Sequence, residues 1–213
     1  EQKASQLYGA TLKPMTRKEA EKYLKAEKYI CTENVPERNL QQGNMVPADG
    51  SPAPGMQPFR SWAEAEAAEP DGKKAEDIVA LAKTFLGCPY LWGGMSPGHF
   101  DCSGLTGFCY FMNGILLPRD ASQQVKCGVE IPFEQMQAGD LVFFGDTSVG
   151  HVAICIGDHR IIHSSQLVRI NSLLPGEKDY YGRNILHIRR ILGHLAEGEL
   201  KAVYTKDSPA YFK

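Results

Sequence analysis

The sequence predicts an α+β fold in which helices pack on an antiparallel sheet, preceded by an irregular N-terminal extension. Three observations predict it. Two helical patterns open the strongly patterned part of the chain, a run of short strands follows them, and polar sequence broken by proline and glycine lies in front of both. The texture changes near Lys73, so residues 1–72 are expected to form an accessory segment and residues 73–213 the main domain.

Within the first segment, Thr16 followed three residues later by Glu19 is a capping-box signature, and a helix is expected from there to Leu24. Tyr29 to Thr32 reads as a short strand. The run Gly50-Ser51-Pro52-Ala53-Pro54-Gly55 reads as a linker, because its prolines and glycines suit neither helix nor central strand. Trp62 to Ala68 is a candidate short helix that stops before Pro70.

In the main domain, Ile78, Leu81, Ala82, Phe85 and Leu86 recur at helical spacing, and Gly87 supplies a stop. A glycine-rich loop follows. Asp101 offers an N-cap for a second helix with a buried stripe of Leu105, Phe108, Cys109 and Met112, ended by Gly114. Strands are expected at Asp140 to Phe144, His151 to Ile156, Arg160 to His163 and Val168 to Ile170, with Gly157-Asp158-His159 as a hairpin turn. A last strand, Ile185 to Ile191, is expected to close the sheet.

Composition narrows the class. The 213 residues are 43% hydrophobic and 23% charged, as in an ordinary globular protein. A net charge of −2 with scattered Lys and Arg argues against a nucleic-acid surface. No apolar run approaches the roughly 18–20 residues of a membrane helix. The first residue is Glu1 and no signal peptide is visible, so either a removed export signal or a start inside a longer protein is expected.

Of the six cysteines, Cys88, Cys109 and Cys155 sit among apolar neighbours and are expected to pack as small hydrophobes. Cys31 and Cys127 could pair or stay free. Cys102 differs. It falls in the first turn of the second predicted helix, where unpaired N–H groups and the helix dipole favour a thiolate. The adjacent Asp101 opposes ionisation, so a histidine partner is needed. Gly104 is expected to leave room for a substrate.

His151 begins one predicted strand and His163 lies on the next. A tight turn would pair the strands and bring the two rings together, giving a nucleophile, a base and a group that orients the base. His99, His159, His187 and His194 lack such a setting. Cys102, Cys109, His151 and His163 could in principle hold zinc, but no metal-ligand spacing is present and Cys109 faces the core. No metal is expected.

The chain resembles the NlpC and p60 family of bacterial cell-wall peptidases. The matching pieces run in order: Gly87-x-Pro89-Tyr90-x-Trp92-Gly93-Gly94, Phe100-Asp101-Cys102-Ser103-Gly104-Leu105, and Leu117-Pro118-Arg119-Asp120-x-Ser122-Gln123. They continue with Ala138-Gly139-Asp140-Leu141-Val142-Phe143-Phe144, Gly150-His151-Val152-Ala153-Ile154 and Ile162-His163-Ser164. The resemblance implies a papain-like fold with Cys102 as nucleophile, His151 as base and His163 as its orienting residue. It implies cleavage of the γ-D-glutamyl to diamino-acid bond of peptidoglycan peptides, with no cofactor.

Val168 to Leu173 and Met15 to Thr32 resemble a branch of the family that carries bacterial SH3-like domains. That branch implies that Tyr90, Asp101, Ser103 and Asp120 line the substrate pocket and bind a free L-Ala amine. Tyr90 is also a candidate oxyanion donor, and Trp92 a wall of the cleft. A complete SH3-like barrel is not legible in residues 1–72, which are expected to be a remnant or fragment of one. The partners expected are peptidoglycan-derived peptides, cut by a monomer that is exported to the envelope or serves cytoplasmic recycling of wall peptides. Acyl transfer through the same thioester, an amidase activity and a non-catalytic wall-binding module are the competing readings.

Overall fold

The structure, a computed structural model, describes Lys18 and residues 28–31, 33–36, 45–48, 54–58 and 71–204. Of the helix expected after Thr16, only Lys18 is described, and it is helical. The helix expected at 62–68 lies outside the described residues.

β1 (Lys28–Cys31) coincides with the expected first strand. It pairs antiparallel with β2 (Met45–Pro47) on one side and β3 (Met56–Pro58) on the other. Neither partner was foreseen: each has three residues and ends in proline, too short to display an alternating pattern. Cys31, Val35 and Met56 close a small cluster against this sheet.

α1 (Asp71–Thr84) buries Ala75, Ile78, Val79 and Ala82. The expected stripe ran slightly too far, because the chain leaves the helix after Thr84. Phe85 is buried from the following turn, but Leu86 is 48% exposed. A hairpin of β4 (Met95–Ser96) and β5 (His99–Phe100) leads into α2 (Cys102–Met112), whose Leu105, Phe108 and Cys109 are buried as the spacing predicts. β6 (Ile115–Leu116), α3 (Ala121–Gln124), β7 (Val129–Glu130) and a 3₁₀ turn at Phe133–Gln135 come next.

The main strands follow in succession: β8 (Leu141–Gly145), β9 (Val149–Gly157), β10 (Arg160–Ser165), β11 (Leu167–Ser172) and β12 (Ile185–Arg190). A last short strand, β13 (Val203–Tyr204), pairs with β6. The sheet order is β11-β10-β9-β8-β12-β7, antiparallel throughout. β12 therefore sits inside the sheet and the two-residue β7 forms the edge, not the last long strand as expected. Asp158 and His159 both take positive φ, at 50° and 52°, as a tight hairpin turn requires.

Leu141, Phe143, Val152, Ile154 and Ile162 form one core with α1 and α2. Val142, Phe144, Ala153, Cys155 and Ile161 form the other, with Phe133 and Tyr181 packed against it. Burial on both faces explains why β8 is uniformly apolar instead of alternating. This arrangement sets the start of α2 against β9 and β10.

Candidate active site

Asp101 caps α2 in extended conformation, and its Oδ1 accepts the Gly104 backbone N–H at 2.6 Å. Its Oδ2 accepts the Gly93 N–H at 2.9 Å, so this one carboxylate joins the glycine loop to the helix. Arg119 completes the arrangement. Its Nη2 lies 2.5 Å from Oδ2, and its Nη1 donates to Oδ1 at 3.2 Å and to Ser103 Oγ at 2.9 Å. Asp101 is only 6% exposed, and burial opposes its charge, but the Arg119 and backbone hydrogen bonds more than offset this and hold its carboxyl below the usual range.

Arg119 was not singled out from the sequence. The signal that could have found it is that a carboxylate buried at a helix start needs a counter-charge, and an Arg lies in the nearby Leu117-Pro118-Arg119-Asp120 run. Gly104 departs from its expected role. A Cβ there would come within 1.9 Å of the Gly94 carbonyl oxygen, so the residue admits the loop backbone and does not clear space for a substrate.

Cys102 is half-buried in the first turn of α2. Burial pushes its thiol above the ordinary range, while the backbone N–H of Val152 draws it back and Asp101 opposes ionisation. Burial thus outweighs the expected benefit of the helix terminus. The Val152 contact places this thiol beside β9, the strand that also carries His151.

The two histidines meet as the hairpin predicts. His151 Nε2 lies 2.7 Å from His163 Nδ1, and the rings stand edge to face. His163 Nε2 is 3.0 Å from Asn171 Oδ1, while the Asn171 amide N–H donates to the Asp179 carbonyl at 2.6 Å. This chain of contacts fixes every proton. Asn171 presents its oxygen, so His163 carries hydrogen on Nε2 and accepts from His151 Nε2–H through Nδ1. His151 Nδ1 is left as the free base.

Burial pushes His151 down to about 3 and His163 down to about 4. His163 and then Arg183 and Arg169 add to the effect on His151, and Asn171 partly counters it on His163. Tyr181 was not foreseen: its ring covers His163 at 4.5 Å between centroids.

Other candidate residues are spread around this centre. Tyr90 bridges to the edge of β11, its N–H donating to the Gln166 carbonyl, and it lies near enough to Cys102 and Asp101 for burial and their charges to raise its hydroxyl's pKa. Ser103 is buried under Arg119. Asp120 is exposed at the start of α3. Trp92 is 87% exposed on the glycine loop, with no part in the core.

His159, His187 and His194 lie away from the centre, against Phe133, Glu130 and Glu197. Cys109 is fully buried in the helix-side core, away from any zinc set with Cys102. None of the six cysteines is joined in a disulfide, which answers whether Cys31 and Cys127 pair with each other. Among the described residues no helix is long and apolar enough to cross a membrane.

The family model described as NlpC/P60 family matches residues 87–190, a span that begins at the glycine loop and ends with β12. The chain carries an NlpC/P60 family domain. A gamma-D-glutamyl-L-lysine dipeptidyl-peptidase of Bacillus cereus is 42% identical over 122 residues, covering 55% of this chain and 37% of that protein. The Bacillus subtilis protein of the same name is 38% identical over 120 residues, 54% of this chain and 40% of the relative. The chain thus spans well under half the length of either. A crystal structure of an NlpC/P60 family protein from Bacillus cereus superposes with a TM-score of 0.66 at 28% identity, covering 84% of this chain and 67% of that one. Within the NlpC/P60 domain, Cys102, His151, His163 and the Asp101–Arg119 pair all fall inside the matched residues.

Proposed function

We propose that this chain is a cysteine peptidase that hydrolyses the γ-D-glutamyl to diamino-acid bond of peptidoglycan peptides. The observation that carries the reading is the proton chain Asn171–His163–His151, which ends on β9, the strand whose Val152 N–H meets the Cys102 thiol. The relatives' printed name, gamma-D-glutamyl-L-lysine dipeptidyl-peptidase, supports the choice of bond.

Cys102 and His151 rest as a neutral pair. His151 Nδ1 takes the thiol proton as the sulfur attacks the γ-glutamyl carbonyl, which avoids holding a buried thiolate between turnovers. The Cys102 backbone N–H and the Tyr90 hydroxyl support the oxyanion. His151 then gives its proton to the departing amine, the thioester remains on Cys102, and water attacks it with His151 again as base. His163 holds the ring of His151 and spreads the charge that forms on it.

The acyl half of the substrate lies by Tyr90, Asp101 and Ser103. Asp101 is engaged by Arg119, so its role is to fix the pocket, and Asp120 is the carboxylate free to meet the L-Ala ammonium. Together Asp101, Arg119 and Asp120 carry one net negative charge, which favours a free amine over a blocked one. Residues 1–72 are proposed as an accessory segment, and the envelope as the place of action. Incubating defined wall peptides with free and with blocked L-Ala ends, followed by mass spectrometry, tests the reading. Cleavage after D-Glu of the free-ended peptide is expected, and equal cleavage of both would remove the amine from the account.

A further inference from the structure

Gln124 is fully buried at the end of α3, although glutamine is a residue that usually meets solvent. Both polar atoms of its side chain are engaged. Oε1 accepts the Thr106 hydroxyl at 2.7 Å, and Nε2 donates to the Ser103 carbonyl at 3.1 Å and the Pro118 carbonyl at 3.0 Å. The amide cannot turn over, because its oxygen would then face two carbonyl oxygens. Its backbone N–H also donates to the Asp120 carbonyl at 2.8 Å. Gln124 therefore grips the chain on both sides of Arg119 and ties it to the first turn of α2, the turn that holds Cys102.

Loss of this amide would not fall equally on the two carbonyls. Ser103 has a second donor within reach, the Thr106 hydroxyl at 3.0 Å, which is freed when Oε1 is removed. The Pro118 carbonyl has no other hydrogen bond among the described residues. The segment released is thus the one carrying Asp120, while the helix turn of Cys102 stays held.

We propose that Gln124 is a positioning residue for substrate selection, holding Asp120 at the distance from Cys102 that lets one peptide reach both. Buried as it is, Gln124 touches no substrate and acts through Asp120. The inference rests on the reading of Asp120 as the partner of the L-Ala ammonium, and names the group that places that carboxylate.

The test measures kcat and KM for the unaltered chain, Gln124→Met and Gln124→Glu. The substrate is L-Ala-γ-D-Glu followed by L-lysine or meso-diaminopimelate, whichever the unaltered chain cuts faster, with its L-Ala end free or acetylated. Methionine keeps the length of glutamine without the amide. Gln124→Met should raise KM for the free-ended peptide about tenfold, the size of one weakened ionic contact, with kcat within about threefold and the acetylated peptide unaffected. Glutamate at this place is a donor only when protonated. The preference of Gln124→Glu for the free end, relative to the unaltered chain at the same pH, should therefore recover from pH 8 to pH 5, while that of Gln124→Met should not. Should Gln124→Met fail to fold, the pH dependence of Gln124→Glu decides alone. An equal loss on both peptides, no change on either, or a pH-independent preference in Gln124→Glu would overturn the positioning role and leave the amine reading standing. Equal cleavage of the two peptides by the unaltered chain, or cleavage of neither, would instead remove that earlier reading, and this inference with it.

Discussion

Asn171 reaches across from β11 to hold His163, with its side-chain oxygen 3.0 Å from the ring Nε2. Because the amide end of Asn171 is tied to the Asp179 carbonyl, it cannot turn over without losing that bond. Arg160 pairs with both Asp179 and Glu177, steadying the loop that supplies the carbonyl. The tautomers of both histidines thus depend on a residue that need never touch the substrate.

Replacing Asn171 by Leu keeps the volume and removes the acceptor. The expected result is a fall in kcat of about 10- to 100-fold with KM little changed, as for other groups that orient an imidazole. Asn171→Asp should instead shift the pH–rate profile upward, because a carboxylate at this place favours the imidazolium. Steady-state kinetics across pH separates these effects from a simple loss of folding.

Acid should weaken the fold through the same two rings. An unfolded imidazole takes a proton near 6.5, whereas folded His151 and His163 resist it down to about 3 and about 4. The stability they allow is complete above 6.5. Below that the unfolded state binds more protons, and stability falls with pH until the folded values are reached. The slope is at most about 1.4 kcal/mol per pH unit for each ring. Denaturant unfolding between pH 7.5 and 4.5 should follow this trend, and His163→Gln should flatten it.

Arg119 should matter more than its surface position suggests. Arg119→Leu leaves the Asp101 carboxylate buried with only backbone and Ser103 partners, at a cost of roughly 2 kcal/mol given that the guanidinium is partly exposed. The loss should shrink in acid, where Asp101 becomes protonated. Unfolding curves at pH 7 and pH 3 provide the comparison.

Two glycines of α2 should respond in opposite ways. Gly104→Ala would drive a methyl into the Gly94 carbonyl and should cost about 3 kcal/mol. Gly107→Ala meets only the end of Gln124 at 3.7 Å and should stabilise the helix by up to about 1 kcal/mol. Thermal unfolding of the two variants distinguishes a packing role for Gly104 from a general glycine effect.

Much of the site was legible in sequence because it rests on local signals. A cysteine after a capping Asp reads as the mouth of a helix, and two strands joined by Gly157-Asp158 bring their histidines together. What escaped was set by distant contacts. Arg119 lies 18 residues from Asp101 and belongs to a run whose acidic neighbour, Asp120, drew the substrate role. Tyr181 reaches the histidines from an irregular segment with no periodic pattern. In the fold, β8 to β11 followed their apolar runs, whereas β2 and β3 were too short to read. The place of β12 within the sheet depends on β7, a two-residue partner far earlier in the chain.

The central claim is that Cys102 carries the acyl group, and intact-protein mass spectrometry after an acid quench of turnover tests it most directly. The account predicts an added mass equal to the L-Ala-γ-D-Glu acyl group on the protein, lost with Cys102→Ala together with peptide release. Continued release by Cys102→Ala at the unaltered rate would contradict it.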